Sequence, residues 1–149
     1  MADMPQALQD ILEDFSYIED RLERQEYLIQ LADDFAKVRV PESIATQPYA
    51  EENHVQQCES DAYVWAEEQA DGTLKYYFDV LNPQGLSAMA MAVILVQSLS
   101  GASLDEVAQV NAVVLLMFFV MICSLGKVQG LMGIVAMAQH EAKKRLSQA

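Results

Sequence analysis

The chain has 149 residues and a mass of 16.6 kDa, a length at which one hydrophobic core serves one domain, so a single domain over residues 1–149 is expected. Hydrophobic residues make up 52% and charged residues 21%, which excludes the core-poor composition of disordered chains and removes the need for a metal or disulfide staple. The formal net charge of −13 repels phosphate backbones and anionic lipid, arguing against nucleic acid or a membrane as partner and leaving a basic patch on another protein as a candidate.

Read in chain order, the N-terminal MADMPQALQDILEDF carries acids where a secretory signal would be basic and a transit peptide would carry arginines. A mature, soluble chain is expected. Leu8, Ile11, Leu12, Phe15 and Ile18 recur at helical spacing after Pro5, which predicts a first amphipathic helix. In a second helix, Leu22, Tyr27, Leu28, Leu31 and Phe35 form the apolar side, and Asp20, Arg21, Glu23, Arg24 and Glu26 the solvated one. From Lys37 to Val55, Pro41 and Pro48 prevent a continuous helix and no period emerges, so a long loop leads to Cys58.

Ser60 to Glu68 and Thr73 to Leu81 are rich in aromatic and β-branched residues on either side of Asp71-Gly72, predicting two antiparallel strands joined by a hairpin turn. Leu86 to Leu99 reads as an Ala/Met/Val-rich helix. Ser103-Leu104-Asp105-Glu106 resembles a capped helix start, and Gln129 to Leu146 ends in the cations that suit a helix C-terminus. Between these, Val107 to Gly126 carries no charged side chain and is long enough to span a bilayer. Gln109 and Asn111 inside the run, and flanks without Lys/Arg clusters, favour a buried core helix instead. The expected architecture is α+β, a small antiparallel β-sheet packed against several α-helices.

Familiar catalytic signatures are missing. His54 and His140 lie in no motif, and no phosphate loop, dinucleotide fingerprint, nucleophile elbow or zinc-protease pair occurs. The two cysteines, Cys58 and Cys123, lack disulfide-framework or zinc spacing and fit a reducing, cytoplasmic setting. Cys123 sits in the apolar VLLMFFVMICSLG and is expected simply to pack. Met89, Met91, Met117, Met121, Met132 and Met137 fall at helical spacings that suit core packing. Cys58, between a long loop and a strand, is the candidate nucleophile, although position alone also allows an inert thiol. Glu51, Glu52, Glu59 and Asp61 around it disfavour a thiolate, with His54 and any cation from a partner opposing them.

The segment Val55-Gln56-Gln57-Cys58-Glu59-Ser60-Asp61-Ala62-Tyr63-Val64 resembles the cysteine segment of the SufE/CsdE-like sulfur acceptor family, Val-x-Gly-Cys-x-Ser-Gln-Val-Trp/Tyr. Gly126-Lys127-Val128-Gln129-Gly130-Leu131 is similar to that family's Ser-Arg-x-Asn/Gln-Gly-Leu, and the order of elements matches over almost the whole chain. The resemblance implies a SufE/IscU-like fold and a protein that binds no cofactor. It implies that Cys58 receives persulfide sulfur from a SufS-like, pyridoxal-phosphate-dependent cysteine desulfurase, stimulates that enzyme, and passes the sulfur to a SufBCD-like scaffold for iron–sulfur cluster assembly. Such a chain is a desulfurase activator rather than a stand-alone enzyme. Glu59, Ser60, Asp61 and Lys127 are then the partner-recognition residues, and Tyr63, Trp65 and the methionines a cover for the thiol. Departures stand at Gln57 for glycine, Asp61 for glutamine, Lys127 for arginine, and at Leu81-Asn82-Pro83-Gln84 and Ala88-Met89-Ala90, where the family carries charged surface. The rival readings are a non-catalytic interaction or regulatory module on the same fold and a membrane-associated adaptor using Val107 to Gly126.

Overall fold

Strands β1 (Ala62–Glu68) and β2 (Leu74–Val80) form an antiparallel hairpin in which Ala62 pairs with Val80, Trp65 with Tyr77 and Glu68 with Leu74. The computed structural model describes residues 4–56, 58–119 and 125–148. At the tip of the hairpin Gly72 has φ +85°, a conformation that costs glycine little, and Asp71 Oδ1 accepts hydrogen bonds from the Thr73 hydroxyl (2.6 Å) and amide (3.0 Å). The strand period of two sends Ala62, Val64, Leu74, Tyr76, Phe78 and Val80 into the core.

Both outer edges of the hairpin are covered by the long loop predicted to be patternless. Val40 N–H donates to Phe78 O (2.8 Å) and Phe78 N–H to Val38 O (3.1 Å), a parallel bridge along β2. His54 pairs with Tyr63 along β1. The middle of the loop is tied down by Asp79, which is 4% exposed and accepts from Tyr49 Oη (2.6 Å) and its neighbour Val80 N–H (2.8 Å), with Arg39 Nε 3.4 Å away. A buried carboxylate partnered in this way avoids the desolvation penalty of an isolated charge.

The helices lie against the inner face. Helix α1 (Gln6–Ser16) follows Pro5, and α2 (Arg21–Asp33) is capped by Asp20, whose side chain accepts from Glu23 N–H. Phe35 continues the apolar side in a short 3-10 turn beyond α2, whereas Leu22, expected to pack, is 67% exposed. Helix α3 (Leu86–Leu99) runs through the centre, packed on α1, α2, β2 and the last helix. Its Met91 to Leu95 are all buried, which is why this helix shows no polar stripe.

The apolar run after Ser103 departs from the expected single core helix. Ser103 and Glu106 form a reciprocal capping box that starts α4 (Leu104–Gln109), but the helix ends at Val110. Asn111 then caps α5 (Ala112–Leu116) through Val113 N–H. The two polar residues that argue against a membrane span also stand at the break. Gln109 is the last residue of α4, Asn111 starts the next helix, and no helix among the described residues is long and apolar enough to cross a membrane.

Helix α6 (Leu125–Leu146) closes the domain against α3, α4 and β1. Buried Gln139 anchors it by donating to the Val107 (3.2 Å) and Val110 (2.6 Å) carbonyls freed at the break, and Tyr76 Oη donates to Ala138 O (2.6 Å). Of the methionines, Met91 is buried and Met89 and Met137 pack against the core, but Met117 and Met132 are 61% and 48% exposed. Cys123, Met121 and Gln57 lie outside the described residues. The result is the expected α+β architecture, six α-helices with a two-stranded antiparallel sheet among the described residues.

Candidate functional site

The residues after Val55 leave the sheet edge and return to it as β1, and this excursion carries Cys58. Its base is closed by Val55 N–H donating to Ala62 O (2.8 Å), and its turn by Asp61 N–H donating to Cys58 O (3.3 Å). Asp61 has φ +52°, a left-handed conformation that short polar side chains tolerate better than others. Beyond β2 the pairing continues, because Leu81 N–H donates to Asp61 O (3.1 Å) and Asn82 N–H to Ser60 O (3.2 Å). The cysteine therefore hangs from a framework bonded on both sides.

Two glycines let that framework sit close to the helices. A Cβ at Gly85, the residue before α3, would meet Ser60 Cβ and Oγ at 2.8 Å and Val80 Cγ1 at 2.9 Å. A Cβ at Gly133 on α6 would meet Val55 Cγ1 at 3.0 Å and the Gln56 carbonyl at 3.2 Å. Sequence reasoning singles out neither residue. The Asn82-Pro83-Gln84-Gly85 turn is a visible signal for a helix start, but its contact with Ser60 joins segments far apart in the chain.

Cys58 is half-buried, packed against the core, and free of any disulfide. It lines a pocket of about 160 Å³ together with Glu59, Ser60, Asn82, Gly85 and Lys127, among others. Four of the five residues proposed from the sequence, Cys58, Glu59, Ser60 and Lys127, thus share one cavity, although Lys127, near the start of α6, is far from Cys58 in the chain. Gly130 and Leu131 of the second short motif line the same wall.

Asp61 lies outside this lining. Its Oδ1 is 3.1 Å from His54 Nε2, while His54 Nδ1 is buried and 3.4 Å from Glu51 Oε1 without hydrogen-bonding geometry. Tyr63 and Trp65 are also absent from the lining, so the expected aromatic cover over the thiol is not formed by them. They face the other side of the sheet, where Tyr49 packs edge-on against both and His54 lies against Tyr63 at 4.8 Å. The Tyr63 phenol is pushed above its ordinary value by burial and then by the Asp61 and Glu51 carboxylates. Strand alternation accounts for the error: Tyr63 and Trp65 occupy the outer register of β1, opposite in sense to Ala62 and Val64.

The pocket can hold a sulfur atom beside apolar and polar side chains, with Lys127 in the same lining. Among the described residues, no group of three or more His, Cys, Asp or Glu side chains is placed to hold a metal ion.

Comparison with known proteins gives the family and the fold. Residues 9–142 match the family model described as "SufE: Fe-S metabolism associated domain". Among solved structures, the solution structure of a hypothetical protein from Thermus thermophilus is similar, with a TM-score of 0.72 and 26% sequence identity over 97% of this chain and 99% of that one. No curated protein sequence matches the chain. With nearly its whole length within that domain and two distant motifs meeting at one pocket, the chain belongs to the SufE family of Fe–S metabolism associated domains.

Proposed function

We propose that this protein carries sulfur on Cys58, accepting it as a persulfide from a SufS-like, pyridoxal-phosphate-dependent cysteine desulfurase, stimulating that enzyme, and delivering the sulfur to a SufBCD-like scaffold. The observation that carries the reading is the position of Cys58, half-buried at a pocket that its own neighbours share with Lys127. Membership of a domain family associated with Fe–S metabolism supplies the process.

The transfer needs little from the acceptor. The Cys58 thiolate attacks the outer sulfur of the donor persulfide, a new S–S bond forms on Cys58, and the donor S–S bond breaks. The donor cysteine leaves as a thiolate and takes up the proton released when Cys58 ionised, so no electrons are gained or lost. Half-burial shields the resulting persulfide from further oxidation, and the Lys127 ammonium offsets its charge. Glu59, Ser60 and Lys127, which line the pocket, are the residues that contact the partner, and Asp61 follows Ser60 in the turn. The chain's net charge of −13 favours docking on a basic surface around the desulfurase active site.

The test is incubation with a cysteine desulfurase and cysteine, followed by intact mass measurement of wild type and Cys58→Ser. Wild type gains the mass of one sulfur atom, removable by thiol reductant, and the variant gains none. Wild type that stays unmodified with every desulfurase tried, or equal labelling of the variant, removes the carrier role.

A further inference from the structure

We propose that His54 and Asp61 form a clasp that closes the base of the Cys58 loop and sets how readily the thiol leaves its pocket. The inference rests on Cys58 being the working thiol, and it adds positioning residues for that step. His54 is the last residue paired with β1 before the excursion and Asp61 the last before the chain re-enters β1. Their side chains meet at 3.1 Å across the loop, next to the backbone bond from Val55 N–H to Ala62 O. Cys58 lies between them in sequence, so the side-chain and backbone contacts close one ring around it.

Several details make this more than a passing surface contact. Asp61 is held at φ +52°, and its backbone N–H donates to Cys58 O (3.3 Å) across the turn. The His54 ring is only 20% exposed and rests on Tyr63. Among the described residues, the titratable groups recorded against it are Glu51, Asp61 and Tyr63, two carboxylates and one aromatic face. His54 Nδ1 is buried with no hydrogen-bond partner although a Glu51 carboxylate oxygen is 3.4 Å away. A partner that brings a cation against Asp61 would compete with His54 and open the loop at the moment of docking.

The experiment measures the rate at which a pyridyl disulfide modifies Cys58, read at the Cys58 peptide, for wild type, Asp61→Asn, His54→Gln and the double variant under one buffer condition. Asparagine keeps the left-handed backbone accessible while removing the charge. We expect Asp61→Asn to react about two- to fivefold faster than wild type, the size an exposed polar contact allows. In the His54→Gln background the same substitution should have no further effect.

A ratio that stays at one, or equal effects in both backgrounds, would overturn the clasp. The last result is what simple removal of a negative charge near the thiol would produce. Because the reagent needs no desulfurase, the outcome stands apart from sulfur uptake. A chain whose clasp behaves as described but which never accepts sulfur would refute the carrier reading alone.

Discussion

The two ends of the hairpin use glycine for opposite reasons. At the tip, Gly72 has φ +85° and nothing within 4 Å of where a Cβ would stand, so the backbone conformation alone demands it. At the base, Gly85 has an unexceptional φ of −79°, but a Cβ there would press into Ser60 and Val80. One glycine shapes the chain locally and the other makes room for a distant segment. The second kind positions the candidate site, because Ser60 belongs to the turn that carries Cys58.

The sharpest way to separate the two ends is to substitute both. Gly85→Ala should cost about 2–3 kcal/mol in denaturant unfolding, the usual range for overpacking, and should displace the Cys58 turn, read as faster modification of the thiol. Gly72→Ala should cost about 1–2 kcal/mol, the strain of a left-handed alanine, and leave Cys58 reactivity unchanged. A Gly85→Ala protein with wild-type stability and reactivity would show that the base is looser than its contacts indicate.

A smaller effect is expected where the hairpin meets α6. Tyr76→Phe removes the hydrogen bond from the buried hydroxyl to Ala138 O and should cost about 1 kcal/mol. Burial raises the Tyr76 phenol well above its ordinary value of 10.0, so the folded protein resists its ionisation while the unfolded chain does not. Stability is thus complete below pH 10.0 and falls as pH rises beyond it, and the phenylalanine variant should lose that part of the alkaline slope in pH-dependent melting.

The smallest effect belongs to the tip. The Thr73 hydroxyl and amide hold the Asp71 carboxyl below the ordinary aspartate range. A depressed carboxylate contributes stability above its unfolded value of about 4 and loses it as pH falls further. Asp71→Asn should flatten the acid limb of the melting curve slightly, with no change at Cys58. A change in Cys58 reactivity from this substitution would mean that the two ends are coupled through the strands.

Part of the candidate site is legible in the sequence alone. Cys58 stands out as a thiol at a loop-to-strand junction, and the resemblance around it and around Lys127 points to two segments that do meet at one pocket. The support around them is not legible in this way. Gly85, Gly133 and the His54 contact to Asp61 have no periodicity or motif to mark them, because each answers a neighbour brought close only by folding. Adjacency in sequence groups Asp61 with the pocket residues, but its left-handed backbone goes with a side chain engaged by His54.

The fold divides in the same way. Local chemistry in the sequence determined the hairpin, its Asp71-Gly72 corner, the Leu86–Leu99 helix and the Ser103 capping box, since each depends on period, turn residues or a cap within a few positions. Only the tertiary structure decided that the apolar run breaks at Val110, where buried Gln139 takes up the released carbonyls. It also decided that the loop with no pattern covers both edges of the sheet, anchored by Asp79 and His54. Those choices depend on which polar groups find partners once segments distant in sequence are packed together, and no short window of residues contains that information.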